Sequence, residues 1–245
     1  MNFLNADDNI KKSLPSHVKD EYELKKPEII NLENVALVAE NYAFANCLCI
    51  SGNKGVVFID TTEKIDAALQ VKAGYFSELD RIGNSKEIKG MVYTHFHADH
   101  TFGGRAFYQD FISSEANAAD EWNGPPLYAS EKFYMSQYEL DGHIRPMYFL
   151  RGARQYGFML KAASNIINSP TANWKSKMEY GTIMPSHTVK ESEGMKHIFN
   201  LGNVNVFAFV AEGETPCHLS VWVPEIKLLA MVWGFSRQIC KKYDK

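Results

Sequence analysis

The chain has 245 residues, of which 45% are hydrophobic and 22% are charged, as is usual for globular proteins. This length allows one large domain or two small ones. The formal net charge of −3 gives no reason to expect binding to nucleic acid or to an anionic membrane surface. We expect a cytoplasmic protein, because the sequence shows neither a secretory signal nor an apolar run of membrane-spanning length.

The first part of the chain predicts a polar arm followed by a β-rich region. Residues 1–27 are polar and rich in lysine, and we interpret them as an N-terminal arm that precedes a single domain over 28–245. Strands are predicted at 34–39, 44–50 and 56–60. The last of these is a continuous apolar run, which indicates burial on both faces. Thr61 could cap a helix that continues to about residue 79.

A cluster of potential metal ligands follows the next predicted strand, at 90–94. His95, His97, Asp99 and His100 fall within six residues, and a pair of glycines comes after them. Imidazole nitrogen and carboxylate oxygen are ligands that zinc accepts. Because loops at the carboxyl ends of strands are common binding sites in α/β sheets, the sequence predicts a metal site here.

The remaining chain divides into a helical part and a second group of strands. Residues 105–180 hold many aromatic side chains and few strand signals, so we predict a largely helical insertion in which most of the aromatics serve helix packing. Strands return at 184–189, 197–200, 203–210, 219–223 and 227–233, and the last two are expected to pair as a hairpin. Cys47, Cys49, Cys217 and Cys240 form no C-x-x-C pair and are expected to be reduced thiols.

The string Thr-His-Phe-His-Ala-Asp-His at 94–100 resembles the Thr-His-x-His-x-Asp-His signature of the metallo-β-lactamase superfamily. The resemblance implies an α+β fold, the αββα sandwich. It assigns His95 and His97 to one metal ion, and Asp99 and His100 to a second. It also implies that Asp60 supports the ligand loop, although a helix cap or a turn is an equally good interpretation of this aspartate.

Later segments are similar to the alkyl sulfatase branch of that superfamily. They include 124–128, 151–157, and the loop 213–218 that contains Glu214. The resemblance implies that Glu214 completes the first zinc site with His95 and His97, and that Asp99 is catalytic. Arg151 and Tyr156 are candidates for binding the sulfate group, but a packing role is the more common one for such residues.

Two departures from the branch bear on the second metal. Trp233 stands where the branch has a metal-bridging carboxylate, and an indole offers no lone pair to a metal. The histidine that would complete the second site belongs to a half of the domain that the chain does not reach. The resemblance therefore implies one zinc site with three protein ligands and a second with only two.

The same comparison predicts an incomplete sandwich, made of the first β-layer and its helices. One layer alone would leave a large apolar face open, so we expect a homodimer, aggregation or a truncated copy. The implied function is hydrolysis of alkyl sulfate esters to alcohol and sulfate by a zinc-activated water. The alternatives are another hydrolase of the superfamily, such as a thioesterase or lactonase, and a non-catalytic remnant.

Overall fold

Two β-sheets form the frame of the protein. The computed structural model describes residues 26–111, 124–142, 144–156, 181–211 and 213–231. In these residues one sheet has seven strands and the other has four. The first holds β1 (Glu28–Leu32), β2 (Ala36–Glu40), β3 (Cys47–Gly52), β4 (Gly55–Ile59), β5 (Ile88–Val92), β6 (Leu127–Ser130) and β7 (His187–Val189). The second holds β8 (Lys196–Asn200), β9 (Asn205–Val210), β10 (Leu219–Val223) and β11 (Leu228–Ala230).

The first sheet changes its pairing pattern at β4. Strands β1 to β4 pair antiparallel as neighbours in sequence, whereas β4 to β7 run parallel. A parallel pair needs a crossover connection, and α1 (Ile65–Ile82) supplies it between β4 and β5. The second sheet is antiparallel throughout, in the order β11-β10-β9-β8.

Helices cover one face of the seven-stranded sheet. After α1 the described residues contain α2 (Ala98–Thr101), α3 (Gly104–Tyr108), α4 (Phe133–Asp141) and α5 (Arg145–Tyr156), with short 3-10 turns at Gln109–Phe111, Glu191–Glu193 and Pro224–Ile226. Of these, α3 and Phe133 of α4 pack on this face together with α1. Helix α1 buries Ala68, Val71, Tyr75 and Leu79, whose spacing of three or four residues places them on one face. It ends at Gly83, which adopts the left-handed conformation that glycine tolerates.

The core consists of two apolar layers on either side of the first sheet. Alternate residues of β4 point to opposite faces: Val57 and Ile59 pack against the second sheet, and Val56 and Phe58 pack against the helices. The predicted burial of this strand on both faces is therefore confirmed. The layer between the sheets is closed from the other side by apolar residues of β9 and β10, among them Val206 and Val221.

The α+β class is confirmed, and the structure contains two β-layers instead of the first layer alone. The strands predicted near the C-terminus form a second sheet that packs on the first. One layer was predicted because the resemblance to the alkyl sulfatase branch implied a further half of the domain, and alternating apolar residues do not say which sheet a strand joins.

Several other expectations can be compared with the structure. Helix α1 is capped at Lys64 rather than at Thr61, because the Thr61 hydroxyl donates to the carbonyl of His100. Within the insertion predicted over 105–180, the described residues contain the helices α4 and α5, and residues 112–123 and 157–180 lie outside the described residues. Cys47, Cys49 and Cys217 are buried free thiols. None of the helices in the described ranges is both long and apolar enough to cross a membrane. The N-terminal arm over 1–25, Cys240, and Trp233 lie outside the described residues.

Candidate metal centre

The ligand loop is held between the two sheets by hydrogen bonds at Thr94. Its backbone N–H donates to Asp60 Oδ1 at 2.8 Å, and its hydroxyl donates to Asp60 Oδ2 at 2.7 Å. From the other sheet, the backbone N–H of Leu219 donates to the Thr94 carbonyl at 2.7 Å. The loop therefore begins at a residue that both sheets fix in place.

Asp60 supports the loop rather than capping a helix. It is buried, follows β4, and has a positive φ of 60°, which aspartate tolerates better than most residues. Besides the two hydrogen bonds from Thr94, its Oδ2 lies 2.8 Å from His100 Nδ1. One carboxylate thus orients both the start of the loop and the histidine at its end.

The hydrogen bonds around His95 fix which ring nitrogen carries the proton. The Thr94 hydroxyl has one hydrogen and gives it to Asp60, so it can only accept from His95 Nδ1, which lies 3.0 Å away. His95 is then protonated at Nδ1 and has a lone pair at Nε2. That Nε2 atom is fully buried and has no hydrogen-bond partner among the described residues. A buried nitrogen lone pair without a donor is what a metal ligand requires.

Glu214 meets the two histidines from the loop between β9 and β10. Its Oε2 lies 3.6 Å from His95 Nε2, and its Oε1 lies 3.4 Å from His97 Nδ1. One ligand atom from each of the three residues lies within 4.8 Å of the other two. Ligand bonds of roughly 2.0–2.2 Å in a tetrahedral site separate ligand atoms by about 3.4 Å. The separations of 3.4 and 3.6 Å between the Glu214 oxygens and the two histidine nitrogens therefore fit ligands of one metal ion.

The charges of His95 and Glu214 also suit a cation. Burial, together with the neighbouring histidines His100, His97 and His218, strongly lowers the pKa of His95, so this ring is neutral at physiological pH. The hydrogen bond from His97 lowers the pKa of Glu214, against the opposing effect of burial, so this carboxylate is ionised. Neutral imidazoles and an ionised carboxylate are the forms that bind zinc.

Asp99 and His100 do not form an equivalent cluster. His100 Nδ1 faces Asp60, and its Nε2 lies 3.3 Å from Asp99 Oδ2. Burial alone would lower the pKa of His100, but Asp60 and Asp99 outweigh it and raise this pKa to about 10. For Asp99, burial raises the pKa, and the opposing influence of His100 and His97 lowers it overall. Among the described residues, only His95, His97 and Glu214 form a group of three possible ligands.

A cavity of about 280 Å³ opens beside His97 and Glu214. Its other lining residues come from the ligand loop, from the segment carrying α4 and α5, and from the Glu214 loop: Phe96, Ser136, Ile144, Tyr148, Thr215 and Pro216. The cavity is therefore apolar along much of its wall and polar where it meets the candidate ligands. A molecule with an apolar part and a reactive polar end matches these walls.

The two candidates for sulfate binding lie on α5. Arg151 is exposed, about one helical turn beyond Tyr148, and Tyr156 is the last residue of the helix. Their roles remain predictions. Tyr148 was not among the predicted site residues, and its hydroxyl lies 3.2 Å from His97 Nε2. No sequence signal distinguishes this tyrosine from the other aromatics of the insertion, because the contact depends on where α5 packs.

Comparison with known proteins identifies the family. The model of the metallo-beta-lactamase superfamily matches residues 42–230. A linear primary-alkylsulfatase of Pseudomonas sp. (strain ATCC 19151) is 30% identical over 184 residues, which cover 74% of this chain and 31% of the relative. Among solved structures, the stereoselective inverting sec-alkylsulfatase Pisa1 from Pseudomonas sp. superimposes with a TM-score of 0.61 at 20% identity, covering 83% of this chain and 30% of that one. A double mutant of this sec-alkyl sulfatase gives a TM-score of 0.63 at 21% identity, covering 84% and 31% of the two chains.

The fold, the histidine-rich loop and the family match together define a metallo-beta-lactamase fold in which the described residues hold one cluster of three possible metal ligands. The chain belongs to the metallo-beta-lactamase superfamily, and its resemblance to alkyl sulfatases is confirmed. It spans about a third of the length of these alkyl sulfatase relatives, 31% for the linear enzyme.

Proposed function

We propose that this chain is the zinc-binding part of a hydrolase that cleaves alkyl sulfate esters to an alcohol and sulfate. The observation that carries the proposal is the convergence of His95, His97 and Glu214 beside the cavity, which His97 and Glu214 help to line. The identity of 30% to a linear primary-alkylsulfatase supports this substrate class over others in the superfamily.

His95, His97 and Glu214 would hold the metal. Bound by two histidines and a carboxylate, zinc supplies Lewis acidity and lowers the pKa of a coordinated water towards ~7. Thr94 and Asp60 keep the His95 lone pair at Nε2, and the lowered pKa of Glu214 keeps its carboxylate ionised. The residues thus hold the cluster ready for a cation without rearrangement.

The remaining residues would bind and orient the substrate. The lowered pKa of Asp99 keeps its carboxylate ionised, so Asp99 can accept a hydrogen bond from the attacking water. Phe96, Ile144 and Pro216 give the alkyl chain an apolar wall next to the candidate ligands. Arg151, exposed on α5, supplies a positive charge for the sulfate group.

The test combines metal analysis with substrate turnover. Purified protein is assayed for bound zinc, and for release of dodecanol and inorganic sulfate from dodecyl sulfate. The His97→Ala variant should lose both zinc and turnover, whereas His197→Ala, which changes an exposed histidine in β8, should keep both. Thioester or lactone hydrolysis without sulfate release would assign a different hydrolase. Stoichiometric zinc without any turnover would point to a non-catalytic protein.

A further inference from the structure

Tyr148 makes a contact that the proposed ligand set does not include. Its hydroxyl lies 3.2 Å from His97 Nε2, on the side of the ring opposite to Nδ1, which faces Glu214 at 3.4 Å. Tyr148 comes from α5, while His97 belongs to the loop after β5. The imidazole of His97 is therefore held between two distant parts of the chain.

The hydrogen-bond chemistry of this contact determines how His97 can meet a metal. If Nδ1 binds the metal, the ring proton must be on Nε2, and that N–H needs an acceptor. The hydroxyl oxygen of Tyr148 is such an acceptor. Histidine ligands of metals generally donate their second N–H to an oxygen in this way, which fixes both the tautomer and the orientation of the ring.

The orientation of the His97 ring depends strongly on Tyr148, because the rest of the protein holds His97 less firmly than it holds His95. His95 is completely buried, and Thr94 holds its Nδ1. The side chain of His97 is 19% exposed, so fewer neighbouring atoms restrict rotation of its ring. A single hydrogen bond therefore has more effect on the orientation of His97 than on that of its neighbour.

We propose that Tyr148 is a positioning residue, which holds His97 with Nδ1 towards Glu214 and so links α5 to the metal centre. This inference rests on the proposed metal site but not on the identity of the substrate. Tyr148 acts through His97 and needs no contact with the metal. Tyr148 also lines the cavity beside His97 and Glu214.

The test removes one oxygen atom. Tyr148→Phe keeps the ring and loses the hydroxyl, and Tyr138→Phe, an exposed tyrosine of α4, is the matched control. Zinc affinity is measured by competition with a chelator, and the visible spectrum of the cobalt-substituted protein reports on ligand geometry. We expect Tyr148→Phe to weaken zinc binding about 10-fold, the low end of the range for such partners, because Tyr148 is 47% exposed and water competes for the hydrogen bond. The cobalt spectrum should change only in Tyr148→Phe.

Three results would overturn the inference, and they are distinguishable. If the unmodified protein binds no zinc, the proposed metal site and this inference both fail. If the protein binds zinc and Tyr148→Phe matches it in affinity and cobalt spectrum, only the role of Tyr148 fails. If Tyr148→Phe lowers the free energy of unfolding of the metal-free protein by as much as it lowers the free energy of zinc binding, the hydroxyl serves folding instead of positioning.

Discussion

His97 Nδ1 lies 3.4 Å from Glu214 Oε1, although His97 belongs to the loop after β5 in the seven-stranded sheet and Glu214 to a loop of the four-stranded sheet. The contact spans the two layers of the sandwich, so the ligand cluster exists only when both sheets are packed together. Stability of the fold and integrity of the candidate metal site are therefore linked. Zinc affinity reports on the site, and unfolding of the metal-free protein reports on the fold.

Replacing Glu214 with Gln should reduce zinc affinity strongly. The amide keeps the shape of the side chain but carries no charge, so we expect a loss at least as large as the ~100-fold upper range seen when partners outside the ligand shell are removed. Affinity is measured by competition with a chelator. Glu87→Gln, in an exposed ion pair with Lys89, is the control and should bind zinc normally. Equal affinity in the two variants would remove Glu214 from the ligand set.

The contact between Asp60 and His100 should stabilise the metal-free protein in a pH-dependent way. The folded-state pKa of His100 is raised from 6.5 to about 10. A raised pKa means that the stabilisation is complete below about pH 6.5 and is lost as the pH rises through about 10. Asp60→Asn should therefore cost about 3–5 kcal/mol near pH 6, as expected for breaking a buried charge pair, and clearly less above about pH 10.

Urea unfolding of the metal-free Asp60→Asn variant at the two pH values measures this difference. Asp80→Asn, which removes an exposed partner of Lys86, should cost little at either pH. A cost for Asp60→Asn that does not change with pH would mean that the hydrogen bonds to Thr94, and not the charge of His100, account for its role.

Gly213→Ala should displace the loop that carries Glu214. A Cβ atom at this position would clash with the imidazole of His218, which is buried. We expect a loss of about 1–3 kcal/mol in the free energy of unfolding, together with weaker zinc binding. A double-mutant cycle with His218→Ala gives the test, because the clash requires the ring. If the effects of the two substitutions on the free energy of unfolding are additive, a clash with His218 is not the reason that glycine is needed at position 213.

Gly90→Ala should loosen the packing of the two sheets. A Cβ atom on this residue of β5 would overlap the outer ring atoms of Phe199 in β8 and lie 2.8 Å from the Pro126 carbonyl oxygen. We expect destabilisation of about 1–3 kcal/mol by overpacking. Phe199→Leu removes those ring atoms, so it should recover part of the loss when combined with Gly90→Ala. Thermal unfolding of the single and double variants would show whether this recovery occurs.

The amino-acid sequence was enough to identify the family, the strand pattern and the loop that carries His95, His97, Asp99 and His100, and the family resemblance added Glu214. The three histidines and Asp99 could be recognised as possible ligands because they lie close together in the chain. A short loop after a strand keeps such residues near one another in any fold. The alternation of β4 likewise depends only on the geometry of an extended chain, which sends successive side chains to opposite faces.

The contacts between distant elements are seen only in the folded protein, although the family resemblance had implied the roles of Glu214 and Asp60. Spacing along the chain cannot show that Glu214 reaches His97, that Tyr148 meets the other side of the same ring, or that Asp60 bonds to Thr94 and His100 instead of capping α1. Nor could it show that the later strands form a second sheet. Each of these contacts joins elements far apart in sequence, and their meeting depends on the packing of two sheets and their helices, which local propensity does not encode.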